Sequence, residues 1–96
     1  MALKTMPFDA AEYLTDGETI AAFLTEALES NDPSEIAQAL GIVAKARGGI
    51  AQLARETGIT REALYRALSD SGNPELGTVL KVMRALGVRL TATMVA

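Results

Sequence analysis

The chain of 96 residues contains no cysteine, no histidine and no tryptophan. Without cysteine no disulfide can form, and without cysteine or histidine a structural zinc site lacks its usual ligands. Histidine is also the commonest general base and cysteine a common nucleophile, so their absence argues against an enzyme. We therefore expect a protein without catalytic residues, cofactor or metal, in a reducing compartment such as the cytoplasm.

Long hydrophobic runs are missing as well. No apolar stretch reaches the about 18 residues of a membrane-spanning helix, and MALKTMPFDAAEYL lacks the apolar run of a signal peptide. We expect no contact with a membrane. Aromatic residues make up only 4% of a chain that is 49% hydrophobic, and much of that content is alanine, which favours helices over sheets. The length is typical of one compact domain.

Basic residues are scarce in the first third of the chain. Residues 1–32 carry one basic and seven acidic side chains, a net charge of −6. Residues 33–96 carry eight basic and five acidic side chains, a net charge of +3. We divide the chain accordingly into an acidic N-terminal helical extension, 1–32, and a second part, 33–96, whose local charge suits a polyanion despite the overall charge of −3.

The acidic part carries the pattern of one amphipathic helix. FDAAEYL allows a helical turn, and Thr15 and Glu18 stand at capping-box spacing, so the helix should begin near Asp16 or Gly17. Glu18, Glu26 and Glu29 should line its solvent side. Helical spacing predicts a buried face made of Ile20, Phe23, Leu24, Ala27 and Leu28.

A second helix is predicted from Pro33 to about Ala46. Asp32 is its expected N-cap, with Glu35 reaching back to the cap, and Gly48–Gly49 should end it. Its predicted buried residues are Ile36, Ala39, Leu40 and Val43.

Two short helices are predicted at 50–57 and 60–69, followed by a longer one from Pro74 to Leu86. Asn73 is the expected cap of the longer helix and Gly87 its left-handed terminator. Its predicted buried residues are Leu76, Val79, Leu80 and Met83. In the tail apolar residues alternate with polar ones, which predicts a short C-terminal β-strand over 88–95. Because a single strand leaves amide groups unpaired, it needs a partner such as a second copy of the chain.

The stretch GGIAQLARETGITREALYRALS, residues 48–69, has the residue types of a DNA-binding helix-turn-helix. Ala54 is small enough for the close approach of two helices, and Gly58, four residues later, can adopt the positive φ that the turn requires. The inward positions hold Leu53, Ile59, Leu64 and Ala67, with Thr57 as the polar exception. An ordinary helical hairpin in a small bundle is the alternative interpretation.

The outward side chains of the second helix are the candidates for DNA contact. Arginine pairs with guanine, glutamate accepts from cytosine, and a threonine hydroxyl holds phosphate. Arg61, Glu62, Tyr65 and Arg66 are the candidates for base contact, whereas Gln52, Arg55 and Lys45 or Arg47 are better placed for phosphates. The predicted DNA-binding residues are Gln52, Arg55, Thr60, Arg61, Glu62, Tyr65, Arg66 and Ser69. Alternatively, each arginine is a solvated charge paired with Glu56 or Glu62.

Residues 49–68 resemble the lambda-repressor-like (Xre) helix-turn-helix family, and the flanking chain resembles the addiction-module antidote proteins related to HigA. This narrower resemblance rests on FDAAEYL, ALESNDP, ALGIVAKARGG, QLARETGITREALYRALS, GNP and TVLKVMRALGVRL, and covers about residues 7–91. The sequence departs from the Xre pattern at one position. In that family a glutamine often begins the first helix of the motif and binds phosphate, but here the residue is Ile50.

The resemblance implies an all-α, lambda-repressor-like bundle of about five helices. It also implies a cytoplasmic, homodimeric antitoxin that neutralises a small basic toxin of the RelE/ParE superfamily and represses its own operon at a palindromic operator. A stand-alone Xre-type regulator without a toxin partner remains the alternative. Two interpretations remain open for the acidic helix over residues 16–30. It contacts the toxin, or it simply covers the core with its acidic side chains in water.

Overall fold

The computed structural model describes residues 10–95, and across these residues it is built of helices alone. A short 3-10 helix spans Ala10–Tyr13, which confirms the turn expected in FDAAEYL except at Phe8 and Asp9, which lie outside the described residues. The five α-helices are α1 (Gly17–Glu29), α2 (Pro33–Ala46), α3 (Gly49–Thr57), α4 (Arg61–Ala67) and α5 (Leu76–Ala85). The prediction of an all-α protein with about five helices is confirmed.

Helix α2 lies at the centre of the fold. It packs against α1 on one side and α3 on the other, and α3 in turn packs against α4 and α5. Leu40 and Val43 of α2 are fully buried, and Ala37 and Ala44 beside them are small enough to admit neighbouring helices closely. The other helices contribute Ile20, Leu24, Leu53, Leu64, Val82 and Met83 to the same core. Each such large side chain contributes about 1.5–3 kcal/mol through burial.

The cap of α1 lies one residue later than predicted. Asp16, not Thr15, is the N-cap, and its carboxylate accepts a hydrogen bond of 2.8 Å from the backbone N–H of Thr19. The Thr19 hydroxyl accepts in return from the Asp16 N–H, so Thr19 replaces Glu18 in the capping box. Because the hydrogen bond from the Thr19 backbone, aided by the Thr19 side chain, stabilises the ionised carboxylate, the pKa of Asp16 is lowered from its usual 3.8.

Helix α2 begins and ends as predicted, at Pro33 and Ala46. The Asp32 carboxylate accepts from the Ser34 N–H at 3.0 Å, whereas Glu35, expected to reach back to this cap, is exposed. The Ser34 hydroxyl donates to the carbonyl of Asp70, which ties the start of α2 to the loop that follows α4.

Helix α4 ends at Ala67, two residues earlier than predicted. The chain turns back directly after it, and the Gly72 N–H donates to the Ser69 carbonyl at 2.9 Å. A β-carbon on Gly72 would lie only 2.3 Å from the carbonyl oxygen of Ala67, so this return requires glycine.

Helix α5 begins at Leu76, so the prediction of a start at Pro74 with Asn73 as its cap is wrong. The proline ring fixes φ but leaves ψ free, and Glu75 after it is extended, with ψ at 153° and no capping bond from its side chain. At the other end Gly87 is the predicted left-handed terminator, with a φ of +80°, and the helix ends at Ala85, one residue before the predicted Leu86. There the Val88 N–H donates to the Met83 carbonyl at 2.8 Å, the bond of a Schellman terminator.

The outer side of α5 and the tail differ most from the sequence predictions. Leu76 and Leu80, predicted to be buried, are 67% and 47% exposed, and Val82 is buried instead. Residues 88–95 form no strand, because the described part of the chain offers no second strand to pair with. Leu90, at 37% exposure, lines the same 440 Å³ hollow as Leu80. We refer to Leu76, Leu80 and Leu90 as the α5–tail surface.

Candidate nucleic-acid interface

Two short helices, α3 and α4, are joined by a turn that covers residues 58–60. At its start Gly58 has a φ of +76°, which confirms the predicted left-handed conformation, and its N–H donates to the Ala54 carbonyl at 3.0 Å. A β-carbon on Gly58 would meet no atom of residues 10–95 within 4 Å, so a side chain there would be opposed by backbone strain and not by a clash with these residues. At its end Thr60 caps α4, as predicted, by accepting from the Ala63 N–H at 3.1 Å.

The inward side of this unit is apolar, as predicted. Leu53 and Leu64 are 2% and 0% exposed, and Ala54, Ile59 and Ala67 are partly buried against the core. The polar exception, Thr57, is fully hydrogen-bonded. Its hydroxyl donates to the Leu53 carbonyl at 2.8 Å and accepts from the Ile59 N–H at 3.2 Å. A threonine is therefore stable in this half-buried position because it ties the end of α3 to the turn.

The outer side of α4 carries most of the predicted DNA-binding residues. Thr60, Arg61, Glu62, Tyr65 and Arg66 are all exposed, and Tyr65 presents 62% of its surface to solvent. Hydroxyl, guanidinium, carboxylate and phenol groups thus stand side by side above the buried Leu64. This face offers both hydrogen-bond donors and acceptors to a polar partner.

The remaining predicted residues lie at the margins of that face. Gln52 and Arg55 are exposed on α3, and the Gln52 amide donates to the Glu56 carboxylate at 3.3 Å. Ser69 was placed on α4 but lies in the turn after it and is half-buried. Its hydroxyl donates to the Arg66 carbonyl at 3.0 Å and lies 3.2 Å from the Ser71 hydroxyl. Ser69 is consequently the least available of the predicted contacts.

The arginines of this face are not neutralised locally. Among residues 10–95, Arg55, Arg61 and Arg66 form no ion pair, with Glu56, Glu62 or any other residue, and each is an exposed, solvated charge. An exposed, unpaired guanidinium keeps its donors available for a bidentate acceptor.

The two upstream cations, Lys45 and Arg47, lie on different sides of the molecule. Lys45 and Tyr65 line one hollow of 480 Å³ between α2, the start of α3 and α4. Arg47 lines a separate hollow beside Gly17 and Leu86. Of the two, only Lys45 is on the same side as the α4 candidates.

Sequence reasoning missed two features near this site. A β-carbon on Gly41 of α2 would lie 3.0 Å from the Leu68 carbonyl oxygen, so this glycine lets the end of α4 approach α2 closely. A lone glycine inside a helical pattern is a signal for such an approach. A second hollow, of 450 Å³, lies between α1 and α2, where Phe23, Glu26, Glu35 and Ile42 contribute to its walls. No sequence pattern indicated it, because it depends on how the two helices pack.

None of the helices between residues 10 and 95 combines the length and the apolar character that crossing a membrane requires. In the same part of the chain, no three acidic side chains converge as metal ligands.

The structure is that of a small helical protein with an exposed polar face on α4, and comparison with known proteins defines its family. The sequence model of the family described as probable addiction module antidote protein matches residues 4–94. A protein of Haemophilus influenzae, described only as uncharacterized, is 49% identical over 89 residues, which cover 93% of this chain and 91% of that protein. No solved structure matches the chain. The chain belongs to the family of probable addiction module antidote proteins.

Proposed function

We propose that this chain is the antitoxin of a type II toxin–antitoxin module, which represses its own operon and neutralises its toxin by direct binding in the cytoplasm. Membership of the antidote family supports the antitoxin role. The observation that carries the DNA-binding role is the exposed face of α4, where Arg61 and Arg66 flank Tyr65 without an ion pair within residues 10–95. The proposal is one of binding and not of catalysis.

In this proposal the α3–α4 unit is a lambda-repressor-like helix-turn-helix and α4 enters the major groove. Arg61 and Arg66 present forked donors that match the O6 and N7 acceptors of guanine, and Glu62 can accept from cytosine N4. Tyr65 stands between the arginines, where its ring can contact a thymine methyl group. In this proposal these four residues determine which DNA sequence the protein prefers.

A second group of residues positions the protein on the DNA backbone. Arg55 and Gln52 of α3, Lys45 beside Tyr65, and the Thr60 and Ser69 hydroxyls are proposed to contact phosphates. Such contacts are independent of sequence and make binding salt-dependent, because each neutralised phosphate releases counterions. The Ser69 hydroxyl donates its one proton to the Arg66 carbonyl, so that hydrogen bond must open before Ser69 can donate to a phosphate. The Gln52 amide keeps a second N–H beside the one that it donates to Glu56.

We propose that the α5–tail surface joins two copies of the chain. Leu76, Leu80 and Leu90 are large apolar side chains that stand in solvent in the single chain, and exposed apolar patches mark sites of protein association. A two-fold dimer would place two α4 helices in successive major grooves, about 34 Å apart, over a palindromic operator. Pairing of the 88–95 segments across the two-fold axis would supply the strand partner that the described chain lacks.

Analytical ultracentrifugation tests this dimer. Leu76→Ser with Leu80→Ser should convert the protein to monomer and reduce operator affinity. The melting temperature of the single chain should fall less than in a core variant, because Leu76 is 67% and Leu80 47% exposed. Tyr13→Ser, which removes a large side chain of 66% exposure elsewhere, is the control and should leave the dimer intact. A double variant that sediments as a dimer would place the interface on another surface.

The toxin is proposed to be a small basic protein of the RelE/ParE superfamily, encoded beside this chain. Co-expression of the chain with each adjacent gene, followed by purification through a tag on this chain, should yield a stoichiometric complex that blocks the neighbour's toxicity. If neither neighbour binds while the chain still represses its promoter, the protein is instead a stand-alone Xre-type regulator. Deletion of residues 1–30 would not test whether the acidic helix contacts the toxin. Ile20 and Leu24 belong to the core, so the deletion would also unsettle the fold.

A further inference from the structure

The hollow between α1 and α2 has an apolar floor and an acidic rim. Phe23 and Ala27 of α1 and Ile42 of α2 are half-buried and form its apolar walls. Glu26 of α1 and Glu35 of α2 line the same hollow and are exposed. Two helices thus supply one carboxylate each, and the described residues that line the hollow, all within 10–95, include no basic side chain.

The neighbouring hollow beside α4 has the opposite charge. The two hollows share Gln38 and Ile42, which form a ridge between them on α2. Among the described residues, Lys45 is the one charged residue that lines the hollow on the α4 side, whereas the two charged residues that line the hollow on the α1 side are carboxylates. Because DNA is a polyanion, it is attracted to the Lys45 side and repelled from the side of Glu26 and Glu35.

We propose that the α1–α2 hollow is the docking site for a basic, amphipathic segment of the toxin, an inference that rests on the antitoxin function proposed above. Apolar side chains of that segment lie against Phe23, Ala27 and Ile42, and its lysine or arginine side chains reach Glu26 and Glu35. This occupant follows from the chemistry of the hollow, since apolar walls flanked by two carboxylates complement a segment that is apolar on one side and cationic on the other.

The location also separates the two binding functions. A segment in the α1–α2 hollow covers α1 and the near side of α2, and the exposed Arg61 and Arg66 on α4 are not among the residues that line this hollow. Charge changes at Glu26 and Glu35 should therefore weaken toxin binding and leave operator binding intact.

The test compares two double variants with the same change of net charge. Glu26→Lys with Glu35→Lys reverses the rim of the hollow, whereas Glu18→Lys with Glu29→Lys reverses two exposed carboxylates outside it. The control is matched in helix position as well, because Glu18 is in the first turn of α1 as Glu35 is in the first turn of α2. Circular dichroism melting checks that both variants fold.

The probe is the purified product of the adjacent gene that co-purifies with the wild-type chain. In surface plasmon resonance at low salt, the rim variant should bind it at least about tenfold more weakly than wild type, mainly through slower association. The difference should shrink as salt is added, because exposed charges are screened. The control variant should stay within about threefold of wild type, since its charges act only at long range, and both variants should bind operator DNA at least as tightly as wild type.

The outcomes distinguish this inference from the function on which it rests. If no adjacent product binds the wild-type chain, the antitoxin proposal fails and the docking site falls with it. If wild type binds but both variants lose affinity equally, overall charge and not the hollow governs binding, and the inference is overturned. An unchanged affinity of the rim variant for the toxin overturns it as well. If the rim variant changes only in self-association, the hollow binds a second copy of the chain and the inference is also overturned.

Discussion

Helices α4 and α5 bury the same kind of residue and expose opposite kinds. Leu64 of α4 and Val82 and Met83 of α5 are almost completely buried in one core. The outer side of α4 carries arginines and a tyrosine, whereas that of α5 carries Leu76 and Leu80. The inner faces explain why the chain folds, and the difference between the outer faces is why we propose two kinds of partner, a polyanion for α4 and an apolar protein surface for α5.

The largest expected effect separates a buried leucine from an exposed one. Leu64→Ala should lower the free energy of unfolding by about 2–5 kcal/mol, because it leaves a cavity beneath α4. Leu76→Ala, at 67% exposure, should change the stability of the monomer by less than about 0.5 kcal/mol. Urea unfolding at a concentration low enough to keep the chain monomeric measures both. Similar losses for the two variants would contradict the assigned burial.

A pair of glycines gives the next contrast. Gly58→Val should destabilise the fold by about 1–3 kcal/mol and reduce operator affinity, because a β-branched residue is strained at a φ of +76° before α4. Gly77→Ala in α5 should stabilise it by about 0.5–1 kcal/mol, since the added methyl group meets no atom within 4 Å and alanine favours the helix.

Thermal melting and operator titration measure the glycine pair together. Gly58→Asn is the control, because asparagine tolerates the left-handed region better than other side chains and should recover most of the loss. A Gly58→Val protein with wild-type melting temperature and operator affinity would show that the turn does not depend on its positive φ.

The smallest expected effect is on the pH dependence of stability, and it concerns the cap of α1, a helix outside the comparison of α4 with α5. The pKa of Asp16 is lowered in the folded state, so its ionised form stabilises the fold at pH values above the ordinary 3.8. This contribution is lost as the pH falls below that value towards the folded pKa. Asp16→Asn keeps a capping side chain but has no charge to lose, so its stability should fall less than that of wild type between pH 5 and pH 3.

Acid titration followed by urea unfolding measures this difference. Operator affinity at neutral pH should be the same for both proteins, because Asp16 is not on the α4 face. A steeper acid loss in the variant than in wild type would reverse the sign of the assigned shift.

Local signals were enough to predict much of the fold. Asp32 and Pro33 mark the start of α2, and Gly58 and Thr60 mark the turn and the cap of α4, because caps and positive-φ turns depend on a few neighbouring residues. Competition between adjacent signals caused the small errors. Thr15 and Asp16 are both capping residues, and the sequence could not show which of them Thr19 would join.

Features that depend on distant contacts could not be predicted. Helical spacing groups Leu76 and Leu80 with Met83 on one side of α5, but only the packing of α3 against α5 determines which part of that side is covered. The tail alternates like a strand, yet strand formation requires a neighbouring edge. The α1–α2 hollow likewise arises from packing, whereas the exposed candidates of α4 followed directly from helical spacing around Leu64.

The central claim, that α4 reads DNA, is tested most directly by fluorescence anisotropy titration of the chain's own promoter DNA and of a scrambled duplex. Arg61→Ala and Arg66→Ala should each weaken the binding free energy for the promoter by about 1–3 kcal/mol. Each should also reduce the ratio of the affinity for the promoter to that for the scrambled duplex. Arg55→Ala, the matched control, should weaken both duplexes alike and lower the salt slope by about one. Promoter binding that remains unchanged in both the Arg61 and the Arg66 variant would contradict the assignment of α4 as the DNA-reading helix.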